Sequence, residues 1–260
     1  MELHLIRHGP KNNDPAAHGT GVEALLDPQK IPEIRAYASG LFQKHPESRF
    51  YIETTPVERA IATGTIIGEE LSAHPRIYVE QTIDDMIGSY GQRPLSKKPV
   101  NLSPQAMSKV WADAKKAEKY KSLQGEHKPL YAWCEQGFDN SQANNPEDSG
   151  ISLREVACRI GNYMHHRLPK MYAGDVVIAV GHSGDIEPFL YLTLEMLEGK
   201  NAEEKDAMMK RFSQTNGALE PLTGLEIQFD GTRDGKYHLF LRNGFIPRSS
   251  AAAFDSHFWE

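Results

Sequence analysis

Leu3-His4-Leu5-Ile6-Arg7-His8-Gly9-Pro10 is a short alternating apolar run that stops at Gly-Pro. Alternation at period two reads as a strand, and the Gly-Pro pair ends it at once. Arg7 and His8 therefore stand where the strand stops, the place at which α/β sheets commonly hold their ligands. A guanidinium forks onto phosphate oxygens, and a neutral imidazole serves as base, nucleophile or metal ligand. Taken alone, the pair reads equally well as two cations on a loop.

Working outward, Lys11-Asn12-Asn13-Asp14-Pro15 is a polar, turn-rich loop. Lys11 is either part of a pocket mouth or a solvated cation. Ile34, Tyr37, Ala38 and Leu41 then recur at helical spacing, and Arg49-Phe50-Tyr51-Ile52 reads as a second strand. Thr55-Pro56-Val57-Glu58 has the pattern of a capping box, so a helix is expected to start there with Ala60, Ile61, Gly64, Ile67 and Leu71 on its apolar face. Arg59 falls in the first turn of that helix. Cations favour the opposite end of a helix, so an arginine here points to an anion nearby.

Ile77-Tyr78-Val79 is a third strand candidate, followed by Asp84-Asp85-Met86-Ile87-Gly88 and its glycine turn. From about 88 to 150 the composition shifts to Pro, Lys, Asn and Gln around one helical segment that opens at Ser103-Pro104. This region reads as an inserted cap on a single domain spanning 1–260. Ser152-Leu153-Arg154-Glu155 is another capping box, leading a helix with Leu153, Val156, Ala157, Ile160 and Met164 on one face. Asp175-Val176-Val177-Ile178-Ala179-Val180 is rich in β-branched residues and suits the buried centre of a parallel sheet. It breaks at Gly181-His182-Ser183-Gly184, and a helix through Ile186 and Phe189 follows. Leu225–Phe229 and Tyr237–Leu241 read as a hairpin. Strands alternating with helices indicate a three-layer α/β/α sandwich with a mostly parallel central sheet.

The composition narrows the function classes. The chain has 260 residues, 39% hydrophobic and 25% charged, which suits a globular protein with a sizeable core. A formal net charge of −6 and the lack of a basic tract weigh against a nucleic-acid partner, while a local Arg/His cluster still suits an anionic small substrate. Two cysteines, Cys134 and Cys158, are too few for a disulfide framework. With no leader-like segment and no run of membrane-spanning length, the expectation is a cytoplasmic protein without a membrane partner. Asp230-Gly231-Thr232-Arg233-Asp234-Gly235 imitates the start of a calcium loop, but the position that needs a bidentate acid is Leu241, so it reads as a hairpin turn. His165-His166 lies in a helical pattern, where adjacent side chains diverge.

Three expected strand ends thus carry Arg7-His8, Arg59 and Gly181-His182, a compact cationic set. Leu5-Ile6-Arg7-His8-Gly9, Thr55-Pro56-Val57-Glu58-Arg59-Ala60 and Val180-Gly181-His182-Ser183 occur in an order that resembles the histidine phosphatase superfamily. That superfamily includes cofactor-dependent phosphoglycerate mutases and many phosphomonoesterases. The resemblance implies a metal-independent phosphomonoester hydrolase that needs no cofactor and acts on a small phosphorylated substrate. It implies that His8 takes the phosphoryl group, and that Arg7, Arg59 and His182 hold its oxygens. Ser183 and Lys11 are further expected phosphate contacts.

The family usually places its acid four positions before a glycine, which here selects Asp84, counted from Gly88, with Asp85 adjacent and Asp185 behind. A Ser or Thr and then Asn often follow Arg-His-Gly in the family; here Pro10-Lys11 and Asp14 intervene, which weighs against a mutase. The alternatives are a phosphoglycerate mutase-like phosphoryl transferase and a catalytically weak phospho-ligand-binding protein.

Overall fold

A run of β-branched residues with no polar face must be covered on both sides, and Val176–Gly181 is buried along its whole length. In the computed structural model, this strand lies inside a seven-stranded sheet, and everything else is arranged about it. The structure describes residues 1–10, 12, 26–83, 153–167, 170–182, 186, 189, 221–228, 237–240 and 252–254. Its elements are β1 (Glu2–Arg7), a 3-10 turn (Pro28–Lys30), α1 (Ile31–Lys44), β2 (Phe50–Thr54), α2 (Glu58–Ser72) and β3 (Val79–Ile83). There follow α3 (Leu153–Arg167), β4 (Val176–Gly181), β5 (Gly224–Gln228), β6 (Tyr237–Phe240) and β7 (Ala252–Phe254).

The strand order is β3-β2-β4-β1-β5-β6-β7. The first four are mutually parallel, and β5, β6 and β7 continue as antiparallel neighbours. Strands β1–β4 and β6 therefore point one way, the mostly parallel α/β sheet that alternating strands and helices suggest. Alternation across the pleat divides the core. Ile6, Phe50, Ile52, Val176, Ile178 and Val180 pack with Ile34, Ala38 and Leu41 of α1 and Ala60, Ile67 and Leu71 of α2. On α3, Ala157, Ile160, Tyr163 and Met164 are buried, and the helix is tied to the sheet by a polar joint. The Tyr163 hydroxyl and Arg167 Nε both donate to the buried carboxylate of Glu53 on β2.

Register sets the ends of the strands level. Arg7 pairs with Gly181, and Thr54 pairs with Val180. Beyond the last pairs, His8 N–H donates to Gly181 O (2.9 Å) and Thr55 N–H donates to Val180 O (3.1 Å). Three chain segments thus leave the sheet side by side at its carboxyl edge.

At the opposite edge, Arg49 clamps Asp175 through two bonds of 2.8 and 2.9 Å, joining the approaches to β2 and β4. Glu2, at the start of β1, is buried nearby. Burial by itself would raise its pKa, but hydrogen bonds from His4 and Lys44 outweigh this and hold it well below the usual carboxylate range.

Three boundaries differ from the sequence expectation. The third strand begins at Val79 rather than Ile77, because Ile77 N–H still bonds His74 O (3.0 Å) in the preceding turn. The α2 helix begins at Glu58, with Val57 at its cap position and no side-chain cap bond, so the expected capping box does not form. Finally, β7 extends the sheet by a strand that the sequence pattern did not mark. The expected cap at about 88–150 and the helix at Ser103-Pro104 lie outside the described residues. Among the described residues, no helix is long and apolar enough to cross a membrane.

Candidate active site

The carboxyl edge of the sheet brings Arg7, His8, Arg59 and His182 together. β1 delivers Arg7 and His8, β4 delivers His182, and the turn after β2 delivers Arg59 as the second residue of α2. His8, Arg59 and His182 are 3%, 8% and 4% exposed. A buried arginine needs partners. Arg59 Nε donates to His8 Nε2 at 2.9 Å. The rings of His8 and His182 meet edge to face, with centroids 4.8 Å apart and an interplanar angle of 61°.

The His8 ring has one tautomer that satisfies its neighbours. Its Nδ1 lies 2.5 Å from Gly9 O, and a carbonyl only accepts, so Nδ1 carries the proton. Its Nε2 receives the Arg59 N–H, so that nitrogen presents its lone pair. The imidazole is neutral, held at Nδ1 by Gly9 O and at Nε2 by the Arg59 N–H. In this geometry Nε2 is the atom able to attack an electrophile.

His182 is held neutral as well. Burial pushes its pKa well below the ordinary imidazole value, and the guanidinium charges of Arg59 and Arg7 push it the same way. Arg7 pairs across the sheet with Gly181, the residue before His182. The Nε2 of His182 lies 3.2 Å from Thr55 Oγ1.

Two threonines complete the arrangement, and neither was expected to do so. Thr55 has the pattern of a cap, yet its hydroxyl faces His182 rather than the helix. Thr63, one turn along α2 from Arg59, accepts the Gly9 N–H (2.9 Å) and donates to Arg59 O (2.7 Å). One hydroxyl therefore pins both the loop after the strand and the start of the helix. The readable signal for Thr63 is its i+4 spacing from Arg59 on the buried face. Gly9 itself has no room for a side chain: a Cβ there would lie 2.8 Å from Ile34 Cδ1 and 3.1 Å from Leu26 Cδ2.

Lys11, Asp84, Asp85, Ser183 and Asp185 lie outside the described residues. The chain after His182 is helical by Ile186, whose N–H bonds His182 O (3.4 Å).

No family model and no curated protein sequence matches the chain. Solved structures do resemble it. A structure titled mycobacterial hydrolase 1 is 17% identical, with 87% of this chain and 90% of that one covered and a TM-score of 0.48. A mycobacterial glucosyl-3-phosphoglycerate phosphatase is also 17% identical, covering 88% and 89%, with a TM-score of 0.47. A phosphoglycerate mutase from Plasmodium falciparum is 13% identical, covering 98% of each chain, with a TM-score of 0.35.

Proposed function

We propose that the chain is a phosphomonoester hydrolase that works through a phosphohistidine on His8. The observation that carries this reading is the His8 ring, locked at Nδ1 by Gly9 O with Nε2 facing the Arg59 guanidinium. A nucleophile needs a free lone pair, and a transferring phosphoryl group needs donors on its equatorial oxygens. His8 Nε2 supplies the lone pair, and the Arg59 guanidinium beside it supplies donors.

In the first step the Nε2 lone pair forms the bond to phosphorus as the ester P–O bond breaks. Arg59 Nε–H, which donates to Nε2 before substrate enters, turns from the nitrogen to a phosphoryl oxygen. Arg7 and neutral His182 flank the same group, and Lys11 and Ser183 are the further contacts that the sequence suggests. Asp84 is the proposed donor of a proton to the departing oxygen. In the second step water attacks phosphorus and gives a proton back to Asp84, the P–N bond breaks, and inorganic phosphate leaves with His8 and Asp84 both restored. The substrate is a small phosphorylated molecule. The positive charge that stabilises transfer comes from side chains, so turnover requires no cofactor in this scheme.

The test is turnover of an aryl phosphate together with trapping of the enzyme after rapid mixing. Wild type gives an acid-labile phosphoryl adduct; His8→Ala gives none and loses on the order of 10³-fold or more in rate. Circular dichroism of the variant verifies its fold. An adduct that persists in His8→Ala, or near-normal turnover by it, removes His8 from this role. A protein that binds phosphate but turns nothing over would be the phospho-ligand binder.

A further inference from the structure

We propose that Glu2, His4 and His45 form a site for a borderline divalent metal of the Zn2+ class, at the end of β1 remote from His8. Glu2 and His4 are one pleat apart on the strand and so share a face, the E-x-H spacing of two ligands on a β-strand. His45 is the C-cap residue of α1 and reaches the same point from the helix side. A ligand atom from each of Glu2, His4 and His45 lies within 4.8 Å of the other two. Glu2 Oε1 is 2.6 Å from His4 Nε2 and 3.0 Å from His45 Nε2. Ligands at about 2.0–2.1 Å from a tetrahedral ion are roughly 3.3 Å apart, so small ring movements would admit one. Two imidazoles and a carboxylate suit Zn2+, Co2+ or Ni2+ and not Ca2+ or Mg2+, which take oxygen ligands.

The hydrogen bonding favours this reading over a plain polar knot. Lys44 Nζ is 2.7 Å from the same Glu2 oxygen, so three donors converge on one acceptor atom. A carboxylate oxygen offers about two lone-pair sites. If the two imidazoles bind a cation through their Nε2 lone pairs, they cease to compete for that oxygen. Lys44 has a second partner, Glu226 Oε1 at 3.0 Å, and keeps it when a metal takes Glu2. Glu226 is paired with His4 across β1 and β5, so a second carboxylate stands beside the ligands.

An independent observation points the same way. The Tyr37 hydroxyl is buried with no hydrogen-bond partner, and burial, reinforced by Glu226 and Glu2, pushes its pKa up, so it keeps its proton. Buried hydroxyls are nearly always satisfied. A water completing the metal's coordination beside the two carboxylates would give this one an acceptor. The metal would staple the start of β1 to the end of α1, the helix whose Ile34 packs against Gly9.

The experiment is titration of the metal-stripped full chain with Zn2+ alone by calorimetry, repeated with Co2+ by visible absorption. Wild type is expected to take up one equivalent at micromolar or tighter affinity that His45→Ala and Glu2→Gln lose by about hundredfold or more. His45→Ala keeps the backbone cap bonds to Leu41 O and Phe42 O, so it is expected to fold. Metal captured at the histidines of the other site would be the same in wild type and in His45→Ala, and is thereby subtracted. Lys44→Gln removes the competing ammonium and is expected to tighten binding on the order of tenfold. Zn2+ should raise the Tm of wild type but not that of His45→Ala. Identical uptake by wild type and both ligand variants, or no uptake tighter than about 100 μM by wild type, overturns the proposal and leaves a hydrogen-bonded cluster centred on Glu2. Chelation at 25 °C should leave turnover intact, because the site lies at the other end of the strand from His8.

Discussion

Thr63→Val is the substitution that most directly tests how His8 is held. Valine keeps the shape of threonine and removes the hydroxyl. The buried Gly9 N–H then loses its partner at 2.9 Å, and Arg59 O loses the hydroxyl at 2.7 Å. Leaving a buried donor without a partner costs about 1–3 kcal/mol. For a chain of 260 residues, a loss near 2 kcal/mol lowers the Tm by roughly 4–8 °C. A kinetic effect follows, because the carbonyl that orients His8 belongs to the residue whose N–H has been released. A displacement of His8 by a fraction of an ångström should lower kcat on the order of 10–100-fold, with KM much less affected. Urea denaturation and aryl phosphate kinetics measure the two effects. Thr63→Ser, which restores the hydroxyl, should recover most of both. If Thr63→Val retains its stability within about 0.5 kcal/mol and its kcat within twofold, the hydroxyl does not hold the loop and the reasoning fails.

Arg59→Lys should recover only part of the activity lost in Arg59→Ala, since an ammonium lacks the guanidinium fork; full recovery in the steady-state constants would show that a point charge suffices. For His182, the folded pKa lies well below 6.5. Between the folded and unfolded values the unfolded chain binds more protons, so stability rises with pH there and is flat above about pH 7. His182→Gln should therefore flatten the acid side of a stability profile by up to about 1.4 kcal/mol per pH unit below pH 6.5, and parallel urea profiles would refute this. Asp84→Asn should impair hydrolysis of an alkyl phosphate far more than that of p-nitrophenyl phosphate, because only the alkoxide needs a proton to depart. The same selectivity in Asp85→Asn would move the acid by one residue.

How much of this was legible in the sequence follows from what each residue does locally. Arg7, His8 and His182 were readable because Gly9-Pro10 and Gly181 stop apolar strands, and a polar residue beside such a stop lies at the edge of the sheet. Arg59 was readable because its charge opposes the helix dipole. Thr55 was misread because Thr-x-x-Glu is a sound capping pattern, and only the position of β4 reveals that the hydroxyl lies beside His182. Thr63 offered only its i+4 spacing from Arg59, and its second role, holding Gly9, depends on a partner 54 positions away. The Ala252-Ala253-Phe254 strand has no alternation to detect and owes its pairing to Tyr237, His238 and Leu239. The cluster at Glu2 was hidden for the same reason, because Lys44 and His45 close a helix and Glu226 lies on a strand far along the chain.

The place of β1 in the strand order has a consequence for how the molecule comes into being. The strand that ends in Arg7 and His8 lies between β4, whose pairing begins at Val176, and β5, whose pairing begins at Gly224. Neither neighbour is close to it in the chain. As the polypeptide leaves the ribosome, β2 and β3 meet early, while β1 waits for most of the remaining residues before it gains a partner on either side. Long loop closures of this kind slow folding and leave an apolar strand exposed in the interval. The tight approach of Gly224, where an added Cβ would fall 1.8 Å from Leu5 O, makes that final docking intolerant of any side chain. Assembly of the pocket around His8 is therefore a late event in biosynthesis, and truncated or stalled chains ending before β4 would carry His8 without a pocket to hold it.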